Sequence, residues 1–147
     1  MRAIWLIALL FSLVGCEKPS ASKAPVTIDP HDVPITEADV TLPANFAEAI
    51  PRIKGYRDSI RQLITAGTPA QAHRDLDELD IVLNKLPSIA KDSGVPNEQW
   101  ESINLAAQEL RASFNELHAA IDAKREPDYA AVAASIDQAI AKLEQVP

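Results

Sequence analysis

His73 and His118 are the residues of this 147-residue chain whose type and placement point most directly to chemistry. Each has an aspartate one helical turn further on, Asp77 and Asp122, so each imidazole shares a helix face with a carboxylate. Imidazole nitrogens and carboxylate oxygens are ligands for zinc, copper or nickel, and positions at the edge of a buried stripe can leave coordination sites open. The turn between the second and third predicted helices is centred near residues 95–96. Antiparallel packing then places residues whose numbers total about 191 at one height, as those of His73 and His118 do. The two aspartates lie a turn away in opposite directions, so this spacing does not bring all four side chains to one point. A second reading needs no ligand: each histidine pairs with its own aspartate and closes the edge of the bundle. Asp80 shares the stripe with His73.

Other chemistry is sparse. No serine, histidine and acid are arranged as a nucleophile with its base and oxyanion hole, and no glycine-rich phosphate loop is present. The composition therefore predicts a chain that is not an enzyme. A formal net charge of −7 argues against nucleic acid, whose phosphates are neutralised by Lys and Arg, and against a polybasic grip on anionic lipid. No Cys-x-x-Cys-His occurs, and Met1 is the one methionine. Haem is thus not expected, and zinc, copper or nickel is the cofactor class to consider if there is one.

The helices that hold these residues follow from apolar periodicity. The first runs from near Ala44 to Ala66 on Phe46, Ile50, Ile53, Ile60 and Ile64, with Arg57 in the remaining slot of the stripe and Pro51 predicting a kink or irregular first turn. Arg57 reads as a packed stem whose guanidinium meets a carboxylate, Asp80 being a candidate, or as an anion contact. The second begins at Thr68-Pro69-Ala70-Gln71, which has the spacing of a capping box. It buries Ala72, Leu76, Leu79, Leu83, Leu86 and Ala90, and Pro87 predicts a late bend. The third runs from Pro96 or Asn97 to about Lys124 on Ile103, Ala106, Ala107, Leu110, Phe114, Leu117 and Ile121. Trp100, on the edge of that face, reads as a packing residue or a partner contact. After the Glu126-Pro127-Asp128 turn the fourth presents Tyr129, Val132, Ala133, Ile136, Ile140 and Leu143. Four such helices with short loops predict an all-α, antiparallel up-down-up-down four-helix bundle over residues 44–147.

Two earlier segments set the address. Residues 1–15 carry Arg2 and an apolar run from Ile4 to Leu13, too short to span a bilayer, and read as a secretory signal. The closing Leu13-Val14-Gly15-Cys16 resembles the lipobox of bacterial lipoproteins, in which the cysteine is lipidated and becomes the mature N-terminus. That resemblance implies a membrane anchor at Cys16, the chain's single cysteine, and Glu17 rather than Asp after it favours the outer over the inner membrane. Residues 16–43, with prolines at 19, 25, 30, 34 and 43, read as a disordered tether of about 25–30 Å r.m.s. span that carries a solvated His31.

The architecture resembles that of cytochrome b562 and cytochrome c′, without their haem ligands. More closely, Ala72-His73-Arg74-Asp75-Leu76-Asp77-Glu78-Leu79, continuing to Leu83, resembles a helix of small, uncharacterised four-helix lipoproteins of planctomycete-type bacteria. Some members carry further histidines where this chain has Asp77 and Asp80, and the resemblance implies no particular activity. The leading expectation is an envelope lipoprotein whose non-catalytic bundle engages a protein partner or plays a structural part. The alternative is a metal-handling or metal-sensing bundle built on His73 and His118, and it fails if the two rings point away from each other.

Overall fold

The computed structural model describes residues 35–147. The signal, the lipobox with Cys16, His31 and most of the tether lie outside the described residues. Within them the chain folds into four helices about one hydrophobic core, with no strand. Among the described residues no helix is long and apolar enough to cross a membrane.

The first helix, α1 (Phe46–Thr65), starts where Asn45 accepts a hydrogen bond from the Glu48 N–H at 2.9 Å. The Glu48 carboxylate answers by accepting from the Asn45 amide at 2.9 Å and the Ala44 N–H at 3.3 Å. Phe46, Ala49, Ile53 and Ile60 are buried. The helix is continuous through Pro51, whose missing donor falls opposite Ala47 on the exposed side of the helix. Gly67, at φ 74°, ends it: the Gly67 and Thr68 N–H groups donate back to Ile64 and Leu63.

That termination displaces the expected capping box. Thr68 is drawn onto the end of α1, where its hydroxyl also donates to the Leu63 carbonyl at 3.3 Å. Its backbone is not in the extended conformation of an N-cap, and its side chain caps nothing downstream. Pro69–Ala72 instead forms one turn of 3-10 helix, and α2 (His73–Asp92) starts after it without a side-chain cap. Leu76, Leu79, Val82, Leu83, Leu86 and Ala90 form its buried face, and the helix runs on through Pro87. Gly94 closes it as Gly67 closes α1, with Val95 tucked into the core.

After a 3-10 turn at Asn97–Gln99 comes α3 (Trp100–Asp122), with Ile103, Ala106, Ala107, Leu110, Phe114, Leu117 and Ile121 buried. Its closing turn has the same bonding pattern, but Lys124 occupies the left-handed position at φ 53° that Gly67 and Gly94 hold elsewhere. Asp128 then caps α4 (Tyr129–Glu144) by accepting from the Ala131 N–H at 3.2 Å. The buried face of α4 includes Val132, Ile136, Ala139, Ile140 and Leu143.

Each helix packs on its sequence neighbours, and α1 also meets α4, along a less extensive seam. Ala47, Pro51 and Gly55 are small residues four apart on α1, and they leave an open groove of about 850 Å³ against Leu143, Val146 and Pro147. Ahead of α1, residues 35–43 are not wholly tether. Val40 is buried in the core, Ile35 and Leu42 pack against it, and Glu37 pairs with Lys85 at 2.7 Å. Their irregular, proline-broken spacing carries no period to read.

The left-handed Lys124 is a correctable cost, since a side chain there loses about 1 kcal/mol relative to glycine. Lys124→Gly is expected to raise the thermal midpoint by about 3–6 °C in a circular-dichroism melt. Gly55 lies inside α1 with open space where a Cβ would go. Gly55→Ala is expected to stabilise by about 0.5–1 kcal/mol in urea unfolding, with an unchanged m-value.

Candidate metal centre

His73 is the first residue of α2, and Asp122 is the last residue of α3, one turn beyond His118. The packing of α2 on α3 brings the three together. The His73 Nε2 and the Asp122 Oδ1 are 3.1 Å apart, and the His118 Nε2 is 3.7 Å from the same oxygen. The two rings face one another with centroids 5.3 Å apart and planes inclined by 53°. One ligating atom from each of His73, His118 and Asp122 lies within 4.8 Å of the other two. Metal–ligand bonds of about 2.0–2.2 Å at tetrahedral angles put neighbouring ligand atoms roughly 3.3 Å apart, close to two of these separations.

Burial is graded across the site. The side chain of His73 is 13% exposed, that of His118 25% and that of Asp122 64%. The imidazoles are therefore fixed by packing, while the carboxylate approaches from the solvent side. Asp122 also lies at the C-terminal end of α3, where the helix dipole disfavours a negative charge and a nearby cation offsets it.

Asp77 stands behind this group. Its Oδ1 is 3.9 Å from the His118 Nδ1, across from the nitrogen that faces Asp122. Burial pushes the Asp77 carboxyl above its ordinary range; His118 and His73 oppose that shift, and Asp122 and Asp80 reinforce it. Asp77 is not among the three residues whose ligand atoms converge.

The structure thus joins all four predicted residues, in a pairing the sequence reading did not anticipate. His118 keeps its own aspartate, Asp122, but His73 pairs with Asp122 across the helix interface rather than with Asp77. Asp77 in turn faces His118. The spacing held a signal for this, since the residue numbers of the pairs 73–122 and 77–118 have the same total. Where helices run in opposite directions, a contact at one such pair brings the other with it.

No protein-family model, curated protein or solved structure matches this chain. The chemistry of the site rests on its own geometry.

Asp80 is committed elsewhere. The Arg111 Nε and Nη2 donate to its two oxygens at 2.7 and 3.2 Å, a two-point pair that spacing along one helix could not reveal. Arg57 consequently does not meet Asp80: its Nε donates to Asp58 at 3.0 Å and its Nη1 to Asp137 of α4 at 3.3 Å. Its cross-helix partner is therefore on α4 rather than on α2. Trp100 is held as a packing residue, its Nε1 donating to the Val95 carbonyl at 2.8 Å and Lys91 lying over its ring, though it stays 37% exposed. Leu105, 50% exposed, is the larger break in the polar surface of α3 and was not singled out from the sequence.

Asp80→Ala separates rim pairing from the site. Both partners of that pair are more than one-third exposed, so its loss is expected to cost about 1 kcal/mol or less in urea unfolding. Zinc titration of the same variant is expected to match the parent.

Proposed function

We propose that this protein is an exported, lipid-anchored and non-catalytic helical bundle that binds a divalent transition-metal ion at His73, His118 and Asp122. The observation that carries the metal reading is the convergence of two packed imidazoles on one carboxylate oxygen. Two imidazoles and a carboxylate suit zinc, copper or nickel, and three protein ligands leave a position for water or an incoming group. The rings face each other, which is the arrangement that this reading required of the fold.

We read the chain path as up-down-up-down. Tyr56 with Glu78 and Ser59 with Asp75 support it between α1 and α2, since one number rises as the other falls. His73 with Asp122 and Asp80 with Arg111 do the same between α2 and α3, and Glu109 with Lys142 and Ser113 with Ser135 between α3 and α4.

The anchor is read from Leu13-Val14-Gly15-Cys16, and Glu17 favours the outer membrane. The short packed strap of residues 35–43 then delivers the tether to the bundle. A metal site on the bundle's flank, rather than deep between all four helices, suits the capture or handing-on of an ion at the envelope.

Elemental analysis of untagged protein purified without chelator tests the reading. The expected result is near-stoichiometric zinc, copper or nickel, and none in the His73→Ala/His118→Ala variant, which keeps its helical circular dichroism. In metal-free protein, Zn²⁺ held at about 100 times its Kd is expected to stabilise the fold by about 2.7 kcal/mol. Protein that takes up no Zn²⁺, Cu²⁺ or Ni²⁺, or a double variant that binds as the parent does, would overturn it.

A further inference from the structure

We infer that His118 ligates the ion through Nε2 and that Asp77 is the positioning residue behind it, holding the opposite Nδ1–H. This rests on the metal-binding reading above and assigns the parts of that site.

The two nitrogens of His118 face different carboxylates. Nε2 lies 3.7 Å from the Asp122 Oδ1, the atom that also lies 3.1 Å from the His73 Nε2. The converging edge of the ring is therefore Nε2. Nδ1 faces away from that point, toward the Asp77 Oδ1 at 3.9 Å. An ion bound at Nδ1 instead would sit toward Asp77 and away from the oxygen that the two Nε2 atoms share.

Asp77 has the properties of an orienting carboxylate rather than of a ligand. It is outside the set of atoms that converge. It is also better shielded than Asp122, at 34% against 64% side-chain exposure. A metal-bound imidazole gains basicity and a fixed tautomer when a carboxylate accepts its other N–H. The 3.9 Å separation is an ion-pair distance, and a hydrogen bond requires it to close by about 1 Å as Nε2 swings onto the ion. His73 and Asp122 complete the ligand set from the end of each helix, so the site is built as three ligands and one support.

The test uses the full chain with ¹⁵N-labelled histidine, first metal-free and then with one equivalent of Zn²⁺. Long-range ¹H–¹⁵N spectra identify which ring nitrogen carries the metal. The expected spectrum shows His118 with zinc on Nε2 and the proton on Nδ1. Asp77→Asn is expected to lower zinc affinity about 10-fold or more in a competition titration, with unchanged helical circular dichroism. It is also expected to shift the His118 Nδ1 resonance of the loaded protein while leaving His73 in place. Zinc on Nδ1 of His118, or an Asp77→Asn affinity within twofold of the parent, overturns the assignment while leaving the metal-binding reading intact. A parent protein that takes up none of Zn²⁺, Cu²⁺ and Ni²⁺ overturns both.

Discussion

Leu76, Leu79, Leu83 and Leu86 of α2 share one sealed core with Ile103, Leu110 and Leu117 of α3, and this aliphatic seam sets the height at which every polar pair across it meets. Side chains packed at interior density do not slide by a fraction of a turn. Once the leucines are seated, His73 and Asp122 are brought to one height at one end of the seam, and Asp80 and Arg111 further along it. The polar contacts contribute little to choosing this register. Surface pairs are individually weak, whereas each buried leucine contributes about 1.5–3 kcal/mol. The geometry of the candidate centre is thus inherited from hydrophobic packing.

The helix termini are finished differently. α1 and α4 start with side-chain caps from Asn45 and Asp128, and the Ser93 hydroxyl at the far end of α2 accepts from the Phe46 N–H at 2.8 Å. α2 starts uncapped after its 3-10 turn, and α3 ends on a lysine in the left-handed region. His73, His118, Asp77 and Asp122 lie where α2 begins and α3 ends. A carboxylate at the end of α3 works against the helix dipole, so Asp122 is poorly explained as a stabiliser of its own helix. It is better explained by what it faces, two imidazoles within 4 Å.

Much of this was legible in the sequence, for reasons that particular residues make plain. Apolar spacing placed all four helices to within a few residues, because the period of the buried face is imposed by the same packing that the structure shows. Val82 was missed: it lies beside Leu83 at the stripe's edge, and a single-file stripe underestimates how wide the buried face is. The capping box at Thr68 was misread because two signals compete for one residue. Gly67 can close α1 or Thr68 can open α2, and sequence does not say which hydrogen bonds win. Polar partners were the least legible. His73 with Asp122, and Arg57 with Asp137, each depend on the rotation of two helices about their axes, which i,i+4 spacing on one helix does not encode.

The same division builds the site. Turn position and helix rise set the heights, and they bring His73 and His118 together. Which carboxylate each ring meets came from rotation, and it turned two independent pairs into one group centred on Asp122. Two isolated i,i+4 pairs would have closed the bundle edge and offered an ion one imidazole each. The crossed arrangement instead places both imidazoles on a single oxygen and sets a further carboxylate against the far nitrogen of His118. Structural pairing alone needs no such sharing, since one carboxylate per ring satisfies it. An ion, by contrast, is served by several donors converging on one point.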